Sequence, residues 1–201
     1  MVRITLPVRK EITMNRSLVI NFLLFQLGWF ACVLGGAYDQ VIIGCLVAMS
    51  IMAFHLYQAA NPMREFGLLA IALIIGFIYE SLIVYLALAQ YEHGQAFTSI
   101  APPWIILMWP LFATTFNLSM RWLKNLAPLL IALIGALFAP FAYLAGERLG
   151  AVTYNNITLS MTVISIAWAL LLPLMVIISL RFDGYNDARK RTKTQEVTVN
   201  V

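Results

Sequence analysis

Charge is scarce in this chain. Of its 201 residues, 13 are Lys or Arg and 9 are Asp or Glu, so that 11% are charged, where a soluble globular domain carries roughly 25%. That shortage excludes an ordinary soluble enzyme, and it excludes a disordered polar chain, which needs the opposite balance. Cysteine is scarce too. Two of them are too few for a disulfide scaffold. The two histidines, His55 and His93, stand far apart, and no zinc-protease helix, carboxylate cluster or glycine-rich phosphate loop accompanies them. Ser81 lacks the context of a hydrolase nucleophile. No metal and no cofactor is therefore expected.

What the chain has instead is apolar length. Hydrophobic residues make up 62% of it, and the mean hydropathy is +0.85. A membrane helix needs about 20 consecutive apolar residues, and six runs come near that length: 18–36, 40–58, 66–90, 102–123, 127–146 and 157–182. The expected fold is an all-α polytopic bundle of six transmembrane helices. Residues 1–17 form a basic leading segment, 18–182 the membrane domain and 183–201 a basic polar tail. The first run is longer than a cleavable signal segment and ends without a small-x-small site, so it reads as a retained anchor. Short connections make sequence neighbours antiparallel neighbours.

Lys and Arg set the orientation. With both termini cytoplasmic, every basic residue falls inside except Arg148. The cluster Arg189, Lys190, Arg191 and Lys193 follows the last span and suits an anionic lipid surface, not a nucleic acid. Pro110, Pro140 and Pro173 lie inside spans four, five and six. They allow kinks around a cavity, although proline is also common in ordinary membrane helices. Gly28, Cys32 and Gly36 in span one, and Gly135, Ala139, Ala142 and Gly146 in span five, form small-residue stripes that read as packing faces. Cys32 and Cys45 sit at similar depth, where a bridge is conceivable and free thiols are the plainer expectation.

Polar side chains inside a membrane are expensive, so they are the candidates for function. Glu80 lies near the middle of span three, about 15 Å from the outer surface at 1.5 Å per residue. It reads as a proton- or substrate-binding group or, more plainly, as a carboxylic acid bonded to Thr114 or Thr115. Helical spacing in span four puts Thr114, Asn117 and Arg121 on one face. There Arg121 is an anion contact or a snorkelling interface side chain, and Asn117 a ligand-orienting group. Gln26, His55 and Asn117 fall at similar inner depth and suggest a polar layer. Glu147 and Arg148 close span five on the outside, with Arg148 placed to pair with Glu80, with Glu147 or with a lipid headgroup.

Several of these segments resemble a catalogued bacterial family. They are Asn21-Phe22 with Phe25 to Phe30, Trp109 to Thr115 with Asn117, Ser119 and Trp122, and Tyr143 to Gly150. The family is domain of unknown function 2878, and the resemblance runs from about residue 21 to 180. It implies a small multi-pass protein of the bacterial inner membrane with no assigned activity. The family's genes often stand near enzymes that modify fatty acyl chains of phospholipids, including cyclopropane-fatty-acid-synthase-like methyltransferases, which implies a lipid-related setting.

Three functions follow as expectations. The first is an accessory protein in acyl-chain or phospholipid modification. Its partners would be membrane lipids and a soluble lipid-modifying enzyme docked at the cytoplasmic face. The second is a small proton-linked transporter or channel, in which Glu80 titrates and a homo-oligomer builds the pathway. The third, an integral membrane enzyme using Glu80, Asn117 and Arg121, is weakest, because Glu80 and Arg121 lie far apart in depth.

Overall fold

A computed structural model describes residues 8–186, with side chains from residue 16 onward. Six α-helices account for most of it: α1 (Val8–Ala37), α2 (Val41–Gln58), α3 (Pro62–Tyr85), α4 (Pro103–Ala113), α5 (Pro128–Arg148) and α6 (Ile157–Arg181). A 3-10 helix, Arg121–Asn125, precedes α5. Two short strands, β1 (Gln90–Tyr91) and β2 (Val152–Thr153), pair antiparallel, Gln90 opposite Thr153 and Tyr91 opposite Val152. All the helices except α4 are long and apolar enough to cross a membrane. Their outward faces agree with that, since Ile42, Leu129 and Leu170 are each more than 70% exposed. A soluble protein rarely presents so continuous an apolar surface to water.

The helix starts follow local chemistry. Pro62 opens α3 at a position where its missing amide is not needed, and the Asn61 side chain accepts from the Arg64 amide at 3.3 Å. The third span is therefore shifted toward the N-terminus of its expected position, and it ends at Tyr85, ahead of the left-handed turn residue Ala87. Asn156 caps α6 in the same way, accepting from the Leu159 amide at 3.0 Å.

The fourth span departs most from expectation. The apolar run 102–123 predicts one continuous helix, but α4 stops at Ala113, after 11 residues or about 16 Å of rise. Pro110 lacks the amide that would extend the helical ladder and crowds the turn before it. Beyond Ala113 the chain runs through successive turns to the 3-10 helix. Thr114 and Thr115 turn their hydroxyls back to the carbonyls of Leu111 and Phe112, each at 2.7 Å. From α1, Asn21 Nδ2 donates to the Thr114 carbonyl at 3.2 Å, and Asn21 Oδ1 accepts from the Ser119 hydroxyl at 2.6 Å and its amide at 3.3 Å. Irregular backbone at membrane depth survives only where protein covers it, and Thr114, Thr115, Phe116 and Asn117 are all buried.

Packing is uneven. Helices α1 to α4 form one group and α5–α6 a tight hairpin, with much sparser packing between the two. The small stripe of α1 faces its neighbours: a Cβ at Gly28 would meet Leu111 and Ile51, and one at Gly36 would meet the Trp104 ring. Cys32 and Cys45 are free thiols, and Cys32 Sγ donates weakly to the Gly44 carbonyl at 3.6 Å. At one end of the bundle the β1–β2 pair joins the two long connections. His93 there contacts the Gly36 carbonyl at 3.1 Å and accepts at its own carbonyl from Trp104 Nε1 at 3.3 Å. At the other end, residues after α6 fold back, and the Asn61 amide donates to the Gly184 carbonyl at 3.0 Å. The folded unit thus continues past 182, whereas the basic cluster 189–193 lies outside the described residues.

Candidate functional site

Where the α5–α6 hairpin stands away from the first four helices, a cavity of about 460 Å³ opens, within the range of about 300–1,000 Å³ typical of small-molecule sites. Helix α1 contributes Phe25, Gln26 and Trp29, and α4 contributes Trp104, Met108 and Trp109. Phe138 and Phe141 of α5 line it and are each 60% exposed, beside the exposed Leu133 and Leu137 of the same helix. The cavity is thus open sideways, toward the apolar belt. The small stripe of α5 has two roles. Gly135 lets α5 touch the α6 backbone, since a Cβ there would collide with the Trp168 carbonyl. Ala139, Ala142 and Gly146 line the cavity, as Gly135 also does, and leave it room.

Glu80 forms one polar end of this cavity and is fully buried. Its Oε1 accepts from Trp109 Nε1 at 2.9 Å and from the Tyr143 hydroxyl at 2.5 Å, and its Oε2 accepts from the Tyr91 hydroxyl at 2.9 Å. The donors come from α4, α5 and β1, so the carboxylate draws the two halves of the bundle together. The expected partners Thr114 and Thr115 are spent on their own helix end, and Arg148 is exposed at the end of α5. The three side chains that bond the carboxylate are all neutral donors. Burial pushes the Tyr91 phenol well above its ordinary range, and the neighbouring Glu80 adds to this. Tyr154 is raised likewise, by burial and then by Glu80. Both therefore act as neutral hydroxyls. Trp168, stacked on Trp109 at 5.0 Å, also lines the cavity, and its buried Nε1 finds no acceptor among the described residues.

A second polar centre lies at the opposite end of the bundle. Glu65, fully buried in the first turn of α3, is its hub. Glu65 Oε2 meets His55 Nε2 at 2.9 Å, and Oε1 accepts from Asn117 Nδ2 at 2.7 Å and the Gly184 amide at 2.6 Å. Asn117 Oδ1 accepts from Lys124 Nζ at 2.5 Å, and its carbonyl accepts from Arg121 at 2.8 Å. Asp183 binds Arg121 through both oxygens, at 2.5 and 3.4 Å, and Lys124 at 3.0 Å. Burial lowers the Lys124 amine, and Asp183 works against that. Burial, and then the charge of Glu65, raises the Tyr185 phenol, whose hydroxyl donates to the His55 carbonyl at 2.7 Å.

The expected residues divide among these places. Asn117, Arg121 and His55 meet in the second centre, but through turns and a 3-10 helix and not on one α-helical face. Thr114 is apart from them. Gln26 faces the cavity, so the expected layer of Gln26, His55 and Asn117 does not form. Glu147 is half-buried at the end of α5, outside the cavity lining. Glu65 and Asp183 were not foreseen, because both sit just outside an apolar run, where acidic residues are ordinary. The signal available was His55 and Glu65 flanking one short turn. Among the described residues no group of three or more His, Cys, Asp or Glu stands ready to hold a metal.

With this geometry in view, comparison with known families is decisive on kinship alone. Residues 18–174 match the family described as "Protein of unknown function (DUF2878)". The chain belongs to that family. No curated protein and no solved structure matches it. The family match spans α2 to α5 whole, with most of α1 and α6, and so includes both polar centres up to the Asp183 turn.

Proposed function

We propose that this chain is a multi-pass membrane protein that draws a hydrophobic molecule sideways out of the bilayer into the cavity between α1, α4 and α5–α6. One observation carries the reading: an apolar cavity of about 460 Å³ whose rim, Phe138 and Phe141, is itself exposed at the apolar belt. A soluble substrate would meet no polar route at that opening, whereas an acyl chain or similar body crosses it without losing water. The Lys and Arg distribution supports cytoplasmic termini, which puts the Glu65 centre inside and the β1–β2 pair outside. The inner membrane of a bacterium is the setting that the resemblance implies. A role beside acyl-modifying enzymes fits such a cavity and is tested by comparing phospholipid acyl profiles of cells with and without the gene.

The direct test uses the tryptophans. Trp29, Trp104, Trp109 and Trp168 all line the cavity. A brominated acyl probe added to purified protein should quench them saturably, and Ala142→Phe, which fills the cavity from its rim, should weaken that saturable part at least tenfold. Quenching that never saturates, and is equal in both proteins, would overturn the reading.

A further inference from the structure

The charge of the cavity says what its ligand carries. Among the described residues that line it Glu80 is the one carboxylate, and no Lys, Arg or His is present. All three side chains that hydrogen-bond Glu80 are neutral. The carboxylate is therefore either an anion with no counter-charge or a group that keeps a proton in its place. In both states the cavity disfavours an anionic ligand. An anion meets like charge or a desolvated wall with no cation to receive it.

A cation meets the reverse when the carboxylate is ionised, and aromatic rings in either state. Tyr91, Trp104, Trp109, Tyr143 and Trp168 all line the cavity, with Trp109 stacked on Trp168 at 5.0 Å and Tyr91 edge-on to Trp104 at 5.4 Å. Aromatic rings attract a desolvated cation. Glu80 has no exposed surface, and Tyr91, Trp104 and Trp109 are buried too, so the ligand touches the half-buried rings of Trp29, Tyr143 and Trp168 while the carboxylate stands behind them. In a medium of low polarity its charge still reaches across one side chain.

The geometry points to a lipophilic organic cation as the ligand: an apolar body bearing an ammonium or phosphonium centre, bound against the Trp and Tyr walls with Glu80 as counter-charge. This rests on the cavity being a ligand site, and the test separates the two claims. Tetraphenylphosphonium and tetraphenylborate have the same shape and opposite charge. Full-length protein in phosphatidylcholine nanodiscs is titrated with each, and binding to empty nanodiscs is subtracted.

The expected result is saturable binding of the phosphonium, at least tenfold weaker in Glu80→Gln, with no saturable binding of the borate. Equal saturable binding of both ions would overturn the charge assignment and leave the cavity reading standing. So would phosphonium binding that Glu80→Gln leaves unchanged. If neither ion binds while the brominated acyl probe still saturates, the cation assignment alone fails. If all three fail, the cavity reading falls with it. Should Glu80→Gln not fold, the comparison of the two ions on the unaltered protein decides by itself.

Discussion

Asn117 Nδ2 lies 2.7 Å from Glu65 Oε1, which sets an amide from the broken stretch after α4 against a carboxylate in the first turn of α3. The same amide also donates to the Phe182 carbonyl at 2.9 Å. One side chain thus ties the break in the fourth span to the start of the third and the end of the sixth. The Glu65 centre holds together the connections at its end of the bundle, as the Glu80 centre draws together the walls of the cavity.

Glu65→Ala should be among the most damaging single changes. It leaves His55, Asn117 and the Gly184 amide without their acceptor in a buried place, and stability should fall by about 3–5 kcal/mol. Glu65→Gln keeps an acceptor for Asn117 and Gly184 and should lose less than half as much. Thermal unfolding in detergent measures both, and equal melting of the alanine variant and the parent would refute the hub.

Asn21→Leu should loosen the irregular stretch and leave the long helices intact. The change removes the partner of the Thr114 carbonyl and of the Ser119 amide and hydroxyl, at about 1–3 kcal/mol for a buried polar group left unpaired. Amide exchange should quicken across residues 114–120 and stay unchanged in α2. Uniform quickening would mean that Asn21 supports the whole bundle and not the break.

Two glycines should behave oppositely under thermal unfolding. Gly135→Val drives a side chain into the α6 backbone and should destabilise the hairpin by about 1–3 kcal/mol. Gly150 has a φ of +83°, and a Cβ at that position would meet nothing within 4 Å. Asparagine tolerates this backbone conformation. Gly150→Asn should change stability by less than about 0.5 kcal/mol.

Lys124 predicts a pH dependence. Burial lowers its amine below the ordinary lysine range while Asp183 partly restores it. Between the two values the unfolded chain holds more protons at this site than the folded one, so the contribution to stability rises with pH. The difference in stability between the parent and Lys124→Met should therefore grow in favour of the parent as pH climbs from neutral toward 10.5, the ordinary lysine value. A difference that stays flat would show that Asp183 cancels the burial.

The legible parts of this protein are those that depend on neighbours along the chain. Apolar length announced the spans, and the structure starts α3 at Pro62 and α4 at Pro103, because a proline acts on the helix start within a turn or two. Pro110 was legible as a disturbance. Its consequence was not, because whether a helix kinks or ends depends on what covers the freed backbone. Here Asn21, 93 residues before Thr114 in the chain, supplies the cover.

Glu80 stood out in the sequence because a carboxylate so deep in an apolar run is costly, but its partners did not. Tyr91, Trp109 and Tyr143 are ordinary residues in an aromatic-rich chain, and nothing local links them. Glu65 and Asp183 gave even less warning, since acidic residues beside a membrane span normally face water.

By itself the sequence determined that this chain lives in a membrane as a helical bundle, because transfer of long apolar runs out of water depends on composition and length alone. The tertiary structure decided where α4 ends, that two polar centres form at opposite ends, and that α5–α6 stands off to leave an apolar cavity with one carboxylate behind its aromatic wall. Those outcomes depend on which buried polar groups find partners, and the partners come from helices far apart in the chain.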